Sequence, residues 1–443
     1  MNHHAAVLVS GMAGLAAAGV LARRFARVTV YERDPAPDAG PRKGVPQGAH
    51  AHILLKSGET ALESIFPGLT AELDSRGSVR IDFGTDMRWF HHGSWKVKYE
   101  GGLVIRMQSR PFLESIVRER LASLGNVTFR YETPVQGVRI REGRADAVLL
   151  QQGEAETADV IVDATGRGSA LPRLLAEEFG TPPEVRLPVD LQYASRIYRA
   201  RPGTDGSWRA LLVYHAPPSG QRIGLIFPIE GDRWVVTLGG YLGDHPPSDE
   251  TVWMEFARTL AQPTLYEAVR DAEPLSDIRT FRFPHARWTR YDKLRRFPAG
   301  LLPIGDSVCS FDPVFGQGMS VAAQEARTLA AHLDRDPGAS HPRSYLRALA
   351  RVVFVPWLLL SSEDLRYPRL EADRPFWMPW LQRYTRKVFD LSGANAPDYD
   401  RLLRVLHLMK GPELLFHPAT MLGVLGIRPA REAPGPRPAG TGG

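Results

Sequence analysis

A single cysteine, Cys309, is all the thiol chemistry available to this chain of 443 residues. That count excludes an internal disulfide and a dithiol redox pair, and makes a reducing cytoplasm the expected setting. Charge of one sign is not massed anywhere. The net charge is +6, yet the arginines are scattered and form no stripe with interleaved aromatics, so no nucleic-acid partner is expected and an anionic cofactor suits the surplus better. Long apolar runs are scarce too. Ala5 to Ala22 is uncharged, but Arg23 and Arg24 follow it instead of preceding it, and three glycines interrupt it, which argues against a signal peptide or a span. Val352 to Leu360 contains Pro356 and reads as too short for a bilayer, so no integral membrane association is expected. There is no internal repeat and no second glycine-rich dinucleotide turn.

One further absence sits inside the most informative stretch, "VLVSGMAGLAAAGVLARRFARVTVYERD". It has the layout of a strand, a turn, a small-residue helix and a second strand ending on an acid. Gly11 and Gly14 occupy the second and third glycine positions of a G-x-G-x-x-G turn, with Ser10, Met12 and Ala13 between and beside them, and Glu32, followed by Arg33, lies about 20 residues on. Gly11 lets backbone approach a pyrophosphate, Gly14 lets helix pack on strand, and Glu32 has the spacing of a carboxylate that accepts from a ribose. Where the first glycine belongs stands Val9. A β-branched residue prefers extended backbone, so the turn is expected at Ser10 and Gly11.

Downstream, a proline- and glycine-rich loop, Asp34 to His52, carries Arg42, Lys43, Gln47, His50 and His52 and reads as a flap over a bound cofactor. No carboxylate or cysteine with ligand spacing accompanies the two histidines, so no metal is expected. "SRPFLESIVRERLASL" is an amphipathic helix that begins beside Arg110, and "ADVIVDATGRGS" is a buried strand closing on Asp163, Thr165 and Gly166. From Glu178 to Pro274 the texture changes to alternating, aromatic-rich segments, the mark of an antiparallel sheet. "GLLPIGDSVCSFDPVFGQGMSVAAQEARTLAAHL" then gives a short strand, Gly305 and Asp306, a turn through Pro313 and Gly316, and a helix opening near Gly318 and Met319. A helix N-terminus in that turn favours negative charge on a ring system, while an ordinary junction with Asp306 as helix cap is the plainer alternative.

The order of these motifs resembles the group A flavin-dependent monooxygenase superfamily with the fold of p-hydroxybenzoate hydroxylase. "RKGVPQGAHAHILL", "SRPFLE", "VDATGRGS", "FDPVFGQGMS" and "SSEDLRYP" look like the actinobacterial subgroup that includes polyether-pathway epoxidases. The resemblance implies an α/β fold, a Rossmann-like FAD-binding domain with an inserted antiparallel β-sheet substrate domain and C-terminal helices. The FAD-binding parts fall at 1–75, 102–177 and 275–340, the substrate parts at 76–101 and 178–274, a helical region at 341–428 and a disordered tail at 429–443.

It also implies FAD and NAD(P)H, with NADPH preferred, and a flavin C4a-hydroperoxide that epoxidises or hydroxylates a lipophilic alkene, polyene, terpenoid or indole in secondary metabolism. The partners implied are that substrate and O2, with a flavin reductase as a further candidate; oligomeric state is left open. Pro313, Gly316, Gly318 and Met319 would serve the reacting ring. Arg42 and Arg110 would contact the cofactor, with Gln47, His50 and His52 beside the flavin. Tyr193, Arg196, Tyr214, Phe227 and Trp234 are candidates for lining the substrate pocket, each also readable as an ordinary sheet residue. No acid/base pair stands out in the substrate sheet, which favours an alkene or indole over a phenol. The Trp-x-Trp-x-Ile-Pro signature of flavin halogenases is absent. A reductase of the geranylgeranyl-reductase type and a catalytically degenerate paralogue stay open as alternatives.

Overall fold

The computed structural model describes residues 3–36, 46–151, 153–201 and 207–427; Arg42, Lys43 and the tail at 429–443 lie outside them. Strand β1 (His4–Leu8), helix α1 (Met12–Ala22) and strand β2 (Arg27–Tyr31) form the expected unit. They belong to a five-stranded sheet in the order Leu301–Pro303, Val160–Asp163, β1, β2, Val127–Arg130, and every pairing is parallel. All five residues of β1 are buried, as a parallel sheet covered on both faces requires. Helix α1 is buried from Met12 to Leu21 apart from Ala13, with small residues that let the helix Gly318–Leu333 pack close against it.

The second layer is a seven-stranded sheet ordered Arg279–Phe283, Leu191–Arg199, Arg233–Gly240, Arg222–Ile229, Ala210–Val213, Met87–His91, Ser94–Trp95. It is antiparallel except where Ala210–Val213 meets Met87–His91, a parallel pair. Strand Arg279–Phe283 joins it from beyond residue 274, and Glu184–Leu187 leaves it for a small sheet with Ala286–Thr289 and Cys309–Ser310.

Helices Pro342–Asp364, Met378–Leu391 and Ala396–Leu406 close the molecule. Pro356 does not break the first of these: the apolar run at 352–360 lies inside a 23-residue helix, which by length and composition alone is long enough to cross a membrane. That corrects the reading of the run as too short. Here the helix packs along Gly318–Leu333, burying Tyr345, Leu349, Val353 and Leu360.

Candidate active site

A cavity of about 1300 Å³ runs from the carboxyl ends of the parallel strands to the inner face of the seven-stranded sheet. Ligands in open α/β sheets gather at those strand ends because each strand there hands over to a turn with free backbone groups. The turn after β1 departs from expectation. Val9 itself has φ +77°, in the left-handed region, while Gly11 is extended at φ −72°, ψ 177°. The chain turns at Val9, not at Ser10 and Gly11, because its neighbours hold it there against the preference of a β-branched side chain. Val9 N donates to Tyr31 O at 2.9 Å, and Ser10 donates to Glu32 Oε2 from N at 3.0 Å and from Oγ at 2.7 Å. A Cβ on Gly14 would stand 2.0 Å from Val9 O, so only glycine fits below the turn.

Gly11, Met12, Ala13, Glu32 and Arg33 line this end of the cavity; Ser10 and Gly14 stand behind it as supports. Arg110 crosses to the same place, its Nη2 3.8 Å from the point where a Gly11 Cβ would lie, while its Nε donates to Glu114 at 2.8 Å. Asp163 folds its own turn, accepting from Thr165 N at 3.0 Å and Ser169 Oγ at 2.6 Å, and sets Thr165 and Gly166 in the wall. Asp306 differs from both acids. It lines the cavity and makes no side-chain hydrogen bond among the described residues; burial pushes its pKa up, and Arg110, Arg167 and Arg287 draw it back down. Such a carboxylate is suited to accept from hydroxyls of a bound chain, and it does not cap the helix as the plainer reading had it.

Pro313, Gly316, Gly318 and Met319 also line the cavity. Gly316 has φ +63° and a Cβ there would strike Ile53 Cγ2 at 2.1 Å, so the loop closes tightly on the segment after His52. The helix Gly318–Leu333 starts without a side-chain cap. Asp312 braces this loop from behind: its Oδ1 accepts from Val314 N at 2.9 Å and its Oδ2 from Tyr241 OH at 3.0 Å. Asp364 is its buried neighbour. Burial raises Asp312 to about 6 and, with Asp312 beside it, carries Asp364 well above its ordinary value.

Gln47, His50, His52, Tyr193, Tyr214 and Phe227 lie on the cavity wall, whereas Arg196 and Trp234 do not. Strand alternation explains the split. Arg196 is three residues from Tyr193, hence on the other face, where its Nη1 pairs with Glu250 at 2.8 Å. Trp234 pairs with Pro228, one step off Phe227, and stacks on Trp208 in the opposite core. His50 Nδ1 meets Ser195 Oγ at 2.7 Å, and burial lowers His50 to about 4 and His52 to about 3, leaving both neutral.

The far end of the cavity is a chamber the sequence did not reveal. Trp89 and Leu212 from the sheet face Leu359, Phe389, Leu402 and Leu403 from the C-terminal helices. Beside them lie His91, His92 and Glu363. The two imidazoles stack at 4.1 Å, His92 Nε2 meets Glu363 Oε2 at 3.0 Å, and Arg366 donates to Glu363 Oε1 at 2.8 Å. Burial raises the Glu363 pKa, but His92 and Arg366 outweigh it and hold the carboxyl at about 2. Two histidines and an acid have the makeup of a cation site. Both carboxylate oxygens are already committed, however, and Arg386 stands 3.5 Å from His92 Nδ1. The adjacent His-His pair and the quoted "SSEDLRYP" were the available signals; nothing in sequence joins residues so far apart.

The family description "FAD binding domain" matches residues 4–335. The chain is 33% identical over 419 residues to Protein Rv3254 of Mycobacterium tuberculosis, covering 89% of this chain and 86% of that one. It is 24% identical over 420 residues to Monooxygenase CTB7 of Cercospora beticola, covering 88% and 93%. The crystal structure of PqsL, described as a probable FAD-dependent monooxygenase from Pseudomonas aeruginosa, superposes with a TM-score of 0.61 at 20% identity, over 82% of this chain and 98% of that one. With the glycine turn, the free Asp306 and the 313–319 loop around one cavity, the chain belongs to the FAD-binding domain family, within the group A flavin-dependent monooxygenase superfamily.

Proposed function

We propose that this protein uses FAD and NADPH to insert one oxygen atom of O2 into a lipophilic alkene, polyene, terpenoid or indole, by epoxidation or hydroxylation. The observation that carries the reading is the continuity of the cavity: the same space touches Glu32, Arg110 and Asp306 at one end and Trp89, Phe227 and Leu403 at the other. Bound FAD, once reduced, supplies the activation of O2. The residues fit it. Gly11, Met12 and Ala13 offer backbone N–H groups to a pyrophosphate, Arg110 offers it a guanidinium, Glu32 faces the ribose position and Asp306 the ribityl hydroxyls. The uncapped helix start at Gly318 and Met319 stabilises negative charge on the ring, and Pro313 and Gly316 hold the loop that presents it. The sheet and C-terminal helices enclose the substrate and exclude water.

The test is the visible spectrum of the purified protein, then NADPH-dependent O2 uptake with candidate alkenes and indoles, with 18O incorporation into product measured in parallel. Labelled product coupled to uptake supports the reading. Flavin retained with a saturated, unlabelled product would make the protein a reductase instead, and no flavin under any condition would leave a fold without its chemistry.

A further inference from the structure

The chamber is apolar but not uniformly so, and its polar members are not equivalent. Ser362 Oγ bonds back to Leu359 O at 2.9 Å, Tyr214 OH donates to Val314 O at 3.0 Å, and Glu363 is held by His92 and Arg366. His407 Nδ1 accepts from Lys56 N at 3.2 Å. His91 and Trp89 are the exceptions, and the indole Nε1 of Trp89 is sealed in without a partner. Among the described residues His91, which lines the cavity at 7% exposure, makes no side-chain hydrogen bond; its Nδ1 is sealed in without a partner, which leaves Nε2 as the nitrogen open to the chamber. An imidazole so buried would ordinarily be bonded, since an unmade hydrogen bond costs more than a made one gains.

Its position is fixed from outside the chamber. Arg386 can only donate to His92 Nδ1, so His92 carries its proton on Nε2 and gives it to Glu363. The His91 ring stacks on that anchored ring on one side and lies 5.6 Å from Trp89 on the other. Lys96 fixes the backbone beneath, donating to His91 O at 3.1 Å.

We propose that His91 is the polar contact of the substrate chamber and binds a neutral hydroxyl on an otherwise apolar molecule. This rests on the proposed function above and narrows its substrate class to lipophilic alcohols. A hydroxyl suits a neutral imidazole because each can donate to and accept from the other. Burial, with His92, Lys96, His215 and Arg366 around it, keeps His91 uncharged, so it is a hydrogen-bonding group and a poor base. A carboxylate would meet Glu363, an anion that also lines the chamber, while a neutral imidazole offers it a donor but no charge.

The test is calorimetric titration of the purified, FAD-loaded protein with three matched probes: 1-naphthol, 1-methylnaphthalene and 1-naphthoate. Wild type should prefer naphthol to methylnaphthalene by about three- to tenfold, the ratio one net hydrogen bond gives. His91→Leu should erase the preference while leaving methylnaphthalene affinity within about twofold, and His91→Gln should restore part of it. Flavin content and melting temperature are measured on each sample, so a misfolded variant is set aside in favour of the other. An unchanged ratio in both variants, tightest binding of naphthoate, no binding of any probe by folded wild type, or Zn2+ binding lost on changing His91 would each overturn the proposal. Naphthol discrimination without retained flavin would sink the proposed function and leave the hydroxyl site standing.

Discussion

At one end of the cavity, short turns at Val9, Asp163, Gly305 and Gly316 bring backbone and small side chains together at the mouths of parallel strands. At the other, residues as distant as Trp89, Leu212, Leu359 and Leu403 meet only because a sheet and three helices close on one another. The first end tolerates almost no change of shape, since its contacts are backbone against backbone. The second is held by side-chain packing, where volume can be lost at a graded cost. If that distinction is right, substitutions at the two ends should separate flavin retention from substrate binding.

The largest effect is expected at the rigid end. A methyl on Gly14 would lie 2.0 Å from Val9 O, a collision with backbone that no rotamer change relieves. Gly14→Ala should cost about 3 kcal/mol of stability and abolish flavin retention, read by denaturant unfolding and by the flavin-to-protein absorbance ratio. A variant that keeps its flavin would break the comparison, because the turn would then be as adaptable as the chamber.

This same end was the legible one. Gly11, Gly14, Glu32, Asp163, Gly305, Asp306 and Gly316 belong to three short motifs, each readable by itself, and the physics of a tight turn acts over just that range. The exception is instructive. Propensity put the turn past Val9, but Tyr31 O, Glu32 and Gly14 together fix Val9 in the left-handed region, so long-range contacts overrode local preference. In the sheet, the aromatic residues were visible but their faces were not: Tyr193 and Phe227 turn inward, Arg196 and Trp234 outward, and only the register decides. The chamber's helices read as amphipathic, which says that they pack and not against what.

The chamber should yield by degrees. Leu403 is fully buried yet borders open space, so Leu403→Ala deletes packing on one side only. A loss of about 2 kcal/mol is expected, with flavin content unchanged and affinity for an apolar probe such as 1-methylnaphthalene reduced. Loss of flavin here would mean that the two ends are one cooperative unit.

Val9→Gly sharpens the comparison from the other side. It removes the strain of a β-branched residue at φ +77° and should gain about 1 kcal/mol, partly offset by the entropy of an added glycine. Tighter FAD binding with unchanged probe affinity is the expected pair of outcomes, measured by flavin release in mild urea and by calorimetry. No gain in either stability or FAD affinity would show that the surrounding contacts already absorb the strain.

The last effect is one of pH, and it lies behind the rigid end. Glu325 is fully buried; its Oε2 accepts from Gly305 N at 2.6 Å while its Oε1 has no partner. Burial, reinforced by Asp306, raises its pKa from an ordinary 4.5 to about 8. Between those two values the folded protein holds a proton that the unfolded chain has released, so stability falls as pH rises across that window. Glu325→Gln keeps an acceptor for Gly305 N and removes the titration. The variant should therefore match wild type near pH 5 and become the more stable of the two above pH 8, with the difference growing through the interval. Asp312 shifts in the same direction but is common to both proteins, so it cancels in the difference. Parallel melting-temperature profiles would show that Glu325 ionises normally, and that the Gly305 turn is held by a carboxylate rather than by a neutral acid.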